Sequence, residues 1–156
     1  MYRSETEKIR PKALHYISGK VLDIGCGHDK ILPTAVGVDV RALDGIDVVT
    51  TQFEKLSEIL PHDFDSVYSS HCLEHIFDDV GALTDWGKLL KPDGTIFLYL
   101  PDIRYYREYN PEHAHNYSYD SFMHNIPRLV SNLKLVESGM DVGDQRYSFW
   151  VVLKKI

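Results

Sequence analysis

At 156 residues the chain fits one domain built round one hydrophobic core, and its 44% hydrophobic and 26% charged residues exclude a disordered polymer. No apolar run approaches the ~18 residues of a membrane-spanning helix. A formal charge of -6 argues against a surface that tracks nucleic-acid phosphates and for a small neutral or cationic ligand.

The opening stretch MYRSETEKIRPK has no apolar signal core, so a cytoplasmic protein with no membrane or nucleic-acid partner is expected. Ile9, Leu14 and Ile17 predict an N-terminal helix within residues 1–19, with Pro11 near its start and Gly19 as its stop. β-rich runs follow: KVLDI at 20–24, AVGVDV from 35, IDVV from 46, DSVYSS from 65 and TIFLYL from 95. Their nearly continuous apolar character suits strands covered on both faces of a parallel sheet. Helices are predicted at 54–60 and at 78–90, the second on the stripe Val80, Leu83, Trp86, Leu89 and Leu90, with KPDG ending it.

Beyond Pro101 the composition turns to RYYREYNPEHAHNYSYDSF, without sustained period, and residues 102–125 are read as a long loop; long ordered loops in compact domains are usually functional. Asp120 or Ser121 is expected to cap a helix to about residue 131, followed by strands at 133–136 and from 147. Only the turn-like residues 137–146 separate those strands, too few for a crossover helix, so they are expected to pair antiparallel. No repeat or linker divides the chain, and residues 1–156 are one domain. Cys26 and Cys72 each follow a strand and are read as small buried fillers.

Gly25 and Gly27, directly after the first strand in VLDIGCGHDK, allow φ > 0 and let a ligand touch bare main chain. In an open α/β sheet ligands bind at this carboxyl edge. A dinucleotide loop would place a third glycine where Lys30 stands, so a pyrophosphate, and with it a nicotinamide-dependent oxidoreductase, is disfavoured. Asp39 ends the second strand, where a carboxylate accepts from both hydroxyls of a ribose; Asp23 would orient the loop or reach an ammonium through water. A nucleoside with a cationic, unphosphorylated tail satisfies this set.

VLDIGCG, GVDV, FDSVYSSHCLEHI and LLKPDGTIFLYLPD, in that order and spacing, resemble the class I S-adenosylmethionine-dependent methyltransferases, especially small ones with an LEHI segment after the fourth strand. The resemblance covers residues 21–102 most closely. It implies a Rossmann-like, doubly wound α/β sheet of seven strands in the order 3-2-1-4-5-7-6, with strand 7 antiparallel. It also implies that Asp23, Gly25, Cys26 and Gly27 hold the methionine part of S-adenosyl-L-methionine, that Asp39 holds the ribose and that Val40 lies beside the adenine. Gln52 stands where relatives carry an acid toward the adenine amino group, Phe53 follows with its N–H toward the ring, and Ser69, Ser70 and His71 pass under the sulfonium. Only HDKILPT separates Gly27 from the second strand, so the helix usual in relatives is expected to shrink to a turn. The acceptor pocket is then built from residues 102–125, the first helix or another subunit.

With the methyl group already activated on a sulfonium, the protein has to align a nucleophile and remove its proton. His71 is the first candidate base, followed by His113 and His115, which point the same way if their segment is extended. No acidic or cysteine partner has metal-ligand spacing around these histidines, and no metal is expected. Glu74 and His75 are read as opening the next helix. Tyr105, Tyr106, Tyr109, Tyr117 and Tyr119 offer apolar area with polar tips, and Arg104 and Arg107 are candidates for an anionic acceptor, although solvated loop arginines are commoner. The function implied is in-line methyl transfer to a small-molecule acceptor, at oxygen. The alternative is a non-catalytic protein of this fold serving as a partner subunit, or a homodimer.

Overall fold

The computed structural model describes residues 3–156; Met1 and Tyr2, which head the N-terminal stretch, lie outside that range. Twelve segments matter here, beginning with helix α1 (Glu5–Ala13), strands β1 (Val21–Ile24), β2 (Val36–Asp39) and β3 (Val48–Val49), and a 3₁₀ stretch, Phe53–Glu58. Strand β4 (Phe64–Ser70), the 3₁₀ turn Leu73–His75, helix α2 (Asp79–Lys88) and strand β5 (Leu90–Pro101) follow, then helix α3 (Tyr119–Leu129) and strands β6 (Leu133–Gly143) and β7 (Arg146–Lys155). The seven strands form one sheet in the order β3-β2-β1-β4-β5-β7-β6, parallel except where β7 pairs antiparallel with β5 and β6. No helix among the described residues is long and apolar enough to cross a membrane.

The period of two along the central strands divides the core. Leu22, Ile24, Val67, Ile96, Leu98 and Val151 pack with Leu83 and Trp86 of α2 and Phe122 of α3. Their neighbours Val21, Tyr68, Phe97, Tyr99, Trp150 and Val152 pack with Ile9 and Ala13 of α1. Helix α1 therefore covers a face alone, at the place where β1 and β2 lack a crossover helix. Residues 25–35 between them form turns, as the short HDKILPT segment predicts, and Ile31 from this connection is buried against α1. Arg10 of α1 adds an ion pair to Asp29 at 2.6 Å and reaches the carbonyls of Lys30 and Ile31.

Several boundaries differ from the sequence reading for identifiable reasons. Helix α1 ends at Ala13, so Pro11 stands in its last turn rather than near its start, and Leu14 is exposed instead of buried. KPDG does not end α2: Leu90 already pairs with Phe64, and residues 91–94 form a bulge in β5 with Asp93 at φ 64. Residues 54–60 make only 3₁₀ turns with a kink at Lys55. The loop 102–125 stops at Ser118, which caps α3 in a reciprocal bond with Ser121; the cap is neither Asp120 nor Ser121. Residues 137–146, read as turn, are mostly strand, because Gly139 lies flat on the Trp150 ring and only Asp144 and Gln145 make the turn.

Ile31→Ala is expected to cost about 2–4 kcal/mol, since it empties a buried site. Arg10→Ala removes a half-exposed ion pair and is expected to cost about 1 kcal/mol. Urea unfolding of both variants checks this, and the reverse order would mean that charge rather than apolar burial holds the β1–β2 connection.

Candidate functional site

At the carboxyl edge of β1 the chain bends across β2: Gly25 N and Cys26 N both donate to the Val38 carbonyl, at 2.7 and 3.1 Å. The two glycines of this bend have different physical reasons. Gly25, at φ 74, would drive a Cβ to 2.7 Å from Cys72 Sγ, so packing alone demands glycine there. Gly27, at φ 54, would place a Cβ in open space, with only Arg41 Nη2 at 3.6 Å. Its main chain is left open to approach from that side. Cys26 is buried behind the bend, close enough to Gly37 to exclude a Cβ, and burial pushes its thiol up to about 12; Cys72 moves the same way, so both are inert fillers.

Asp39 receives Gly27 N at 2.8 Å on one oxygen and Arg41 N and Nε, at 3.1 and 3.3 Å, on the other. Burial alone would raise this acid, but those donors outweigh it and hold Asp39 below the usual carboxylate range. A carboxylate offers about four acceptor sites, so a ribose diol fits once the Arg41 side chain swings away. That side chain is 59% exposed, and breaking such a pair costs little. The residues present therefore fit a nucleoside over Gly27 with its sugar on Asp39.

Asp23 takes the loop-orienting role: it is buried and accepts Ile31 N at 2.7 Å. Burial raises its pKa to about 7, the Ile31 hydrogen bond opposing. Lys30, in place of the third glycine, binds the Ala35 carbonyl at 3.0 Å and Asp47 at 3.4 Å, closing the connection that a helix would span. Val40 and Gln52 are exposed beyond Asp39, while Phe53 is buried with its carbonyl on Trp86 Nε1 at 2.8 Å. Ser69 differs from the expectation. Its hydroxyl donates to the Ile24 carbonyl at 3.0 Å, so it ties β4 to β1 and turns away from the crevice. Ser70 ends β4, half-buried.

His71 follows with φ 49, its N–H on the Tyr99 carbonyl at 2.8 Å. Its Nε2 lies 3.0 Å from Ser148 Oγ and 3.5 Å from Glu5 Oε2. Burial lowers its pKa to about 4, with Glu5 opposing, so the ring is neutral near pH 7. His113 and His115 lie in a turned rather than an extended segment, yet both border a small niche with Tyr106 and Tyr117. His115 Nε2 sits 2.9 Å from the carbonyls of both Ile76 and Phe77, which fixes the ring hydrogen on Nε2 and leaves Nδ1 as its acceptor. His113 meets His75 edge-on instead.

Glu74 and His75 do not open α2; Asp78 caps that helix, and the pair occupies its own 3₁₀ turn. Against the expectation from spacing, the fold supplies an acidic partner to a loop histidine: Glu74, His75 and His113 gather. Arg104 is spent on Asp102, at 3.0 and 2.9 Å, which also accepts Tyr119 N, and it bridges to Asp120. It fastens the loop and is not an acceptor anchor. Tyr117 is likewise structural, its hydroxyl on Asp79 at 2.6 Å, and Tyr119 bonds Ser138 at 2.8 Å.

Arg107 does line a cavity of about 680 Å³, with Lys8, Tyr105, Tyr106, Glu108, Gln145 and Tyr147. It opens at the carboxyl edge of β5, beside His71, whose ring packs on Tyr147 at 5.9 Å. Gln145 and Tyr147 reach it only through the antiparallel return of β7, which no local sequence signal marks.

The sequence matches a family described as Methyltransferase domain over residues 2–138. The chain belongs to that family. A curated relative named Ubiquinone biosynthesis O-methyltransferase, from Neisseria meningitidis, is 28% identical over 119 residues, covering 58% of this chain and 50% of the relative. This methyltransferase-family chain thus spans about half the length of the curated relatives it matches. A S-adenosylmethionine-dependent methyltransferase from Aquifex aeolicus superposes with a TM-score of 0.73 at 14% identity, covering 99% of this chain and 94% of that one. A Burkholderia thailandensis 1,6-didemethyltoxoflavin-N1-methyltransferase, solved with S-adenosylhomocysteine, superposes with a TM-score of 0.69 at 16% identity, covering 96% and 76%. The cofactor of the class is S-adenosylmethionine, and the strand order found here is that of its fold.

Asp39→Ala is expected to lose S-adenosylmethionine binding by at least about tenfold, whereas Arg41→Ala binds as tightly as wild type or more so, because it frees the acid. Calorimetry on both separates a ribose acceptor from a mere loop brace, which would make the two variants equally poor. For Asp23, the raised pKa means the folded chain keeps a proton that the unfolded chain has released, so this group's stabilisation is greatest below about pH 4 and falls as pH rises to about 7. Asp23→Asn keeps the acceptor for Ile31 N and lacks that penalty. Its stability relative to wild type is expected to climb across the same pH range in denaturant titrations, and a flat difference would show that Asp23 is not buried as a neutral acid.

Proposed function

We propose that this chain transfers the methyl group of S-adenosylmethionine to a hydroxyl oxygen of an aromatic small molecule. The observation that carries it is the tyrosine-lined cavity at the same sheet edge as Gly27 and Asp39. Tyr106 and Tyr147 stand 5.0 Å apart there and provide flat apolar surface. The lining offers little net charge for an anion: Lys8 is 4% exposed at its side chain and already bound to Glu5 at 2.8 Å and the Gln145 carbonyl at 2.7 Å, and Glu108 offsets Arg107. The curated relatives' name, an O-methyltransferase, supports oxygen as the acceptor atom.

When bound, the sulfonium supplies an activated methyl group, so the residues' work is alignment and proton removal. Alignment can supply on the order of 7–11 kcal/mol, a general base about 10²- to 10⁴-fold. His71 is neutral at pH 7 and has a nitrogen to take the acceptor's proton, but a pKa near 4 makes it a reluctant base. Positioning by Gly27, Asp39 and the tyrosines therefore carries most of the rate.

Purified protein incubated with S-adenosylmethionine and a panel of phenols is expected to release S-adenosylhomocysteine. His71→Ala should lower kcat by less than about 10²-fold, and Tyr106→Ala should raise KM more than it lowers kcat. Turnover with amines or thiols but with no phenol would sink the oxygen assignment.

A further inference from the structure

Residues 112–115 of the loop after β5 are laid onto the 3₁₀ turn Leu73–His75 by two backbone bonds, Ala114 N and His115 N to the Glu74 carbonyl at 2.8 and 3.0 Å. Inside this contact the Glu74 side chain is only 1% exposed, and no other described residue donates a hydrogen bond to either of its carboxylate oxygens. A buried carboxylate left so costs several kcal/mol unless a cation or a proton accompanies it. His75 Nε2 stands 3.5 Å from Glu74 Oε1. The other ring nitrogen, Nδ1, is 3.1 Å from the Glu112 carbonyl oxygen, a contact that requires the hydrogen on Nδ1. In the neutral ring the Nε2 lone pair then faces the carboxylate, acceptor against acceptor. His113 brings a second imidazole edge-on to His75, ring centres 4.7 Å apart, and one ligand atom from each of Glu74, His75 and His113 lies within 4.8 Å of the other two.

We propose that Glu74, His75 and His113 bind a divalent transition-metal ion such as Zn²⁺. Two imidazoles and one carboxylate form a donor set that such ions favour, with coordination positions left for water or a ligand. Bonds of about 2.0–2.1 Å in tetrahedral geometry put ligand atoms about 3.4 Å apart, so the Glu74–His75 pair already has the required edge. The carbonyl that holds His75 Nδ1–H fixes the ligating tautomer, the usual outer support of a metal-bound histidine. Since two ligands come from the turn after β4 and the third from the loop after β5, the ion staples that loop across the sheet edge. Binding of the ion does not depend on the methyl-transfer reading.

The test is titration of chelator-treated protein with Zn²⁺ by calorimetry and with Co²⁺ by visible absorption, alongside thermal melts. Wild type is expected to take up about one equivalent and to gain melting temperature as free metal rises. His113→Ala, a part-exposed position whose loss leaves the backbone bonds intact, is expected to bind at least about tenfold more weakly and to lose most of the thermal gain. Glu74→Gln is expected to bind as poorly, and His113→Ala carries the test if that variant does not fold. Absence of saturable uptake by wild type, or equal binding by wild type and His113→Ala, overturns the proposal.

Discussion

The burial of Ile31 under α1 is the constraint on which the rest is arranged. A parallel strand pair normally needs a crossover of a dozen or more residues, usually a helix, yet β1 and β2 are joined by turns alone. Without a helix the β1 face of the sheet would be bare, and α1 fills the place from outside the β–β unit, with Ile9, Ala13 and Ile17 beside Ile31. Asp23 then fixes the connection from below through Ile31 N, and Arg10 from above through Asp29. Full burial of one such aliphatic side chain is worth about 1.5–3 kcal/mol, whereas a half-exposed ion pair is worth about 0–1, so the apolar anchor governs. The glycine bend at the carboxyl edge of β1 is held in place by this substitute.

Which parts were legible in the sequence follows from range. The seven strands could be read because each announces itself in a few apolar residues, their order because the motifs resemble a known class, and the antiparallel return of β7 because too little chain lies before it for a crossover. Gly27 and Asp39 stood out because a glycine and an acid at strand ends are local signals, and the fold joins them by a hydrogen bond. Gly25 is different: its need for no Cβ comes from Cys72, which only the pairing of β1 with β4 brings near. The hydrogen bonds of Ser69, His115 and Arg104 could not be read for the same reason, since the Ile24 carbonyl, the Ile76 carbonyl and buried Asp102 are placed by tertiary contacts. Composition identified residues 102–125 as special without revealing that Arg104, His115 and Tyr117 are engaged in fastening them.

Four buried acids show how the fold decides charge. Asp39 and Asp102 each collect several donors, and each stays ionised despite burial. Asp23 has a single main-chain donor and Glu74 has none from other residues, and burial pushes both up, to about 7 and about 8. Donor number and depth both separate the pairs. The ionised acids each hold an arginine, and Asp23, kept near neutral, lies inside the scaffold.

Helix α1 joins the two halves of the crevice. Its apolar side replaces the missing crossover under the glycine bend, while Glu5 and Lys8 on its other side reach His71, Gln145 and the Tyr147 ring at the tyrosine-lined cavity. The loop opposite is pinned at its far end by Asp102 with Arg104 and Tyr119 N, and in its middle by the Glu74 carbonyl. Between those two anchors most of the loop is exposed, Tyr109 almost wholly. The cavity has one wall built on the helix and strands and the other on this loop, and its lining includes neither Gly27 nor Asp39. Such a division suits the proposed in-line transfer, which needs two molecules held and aligned separately.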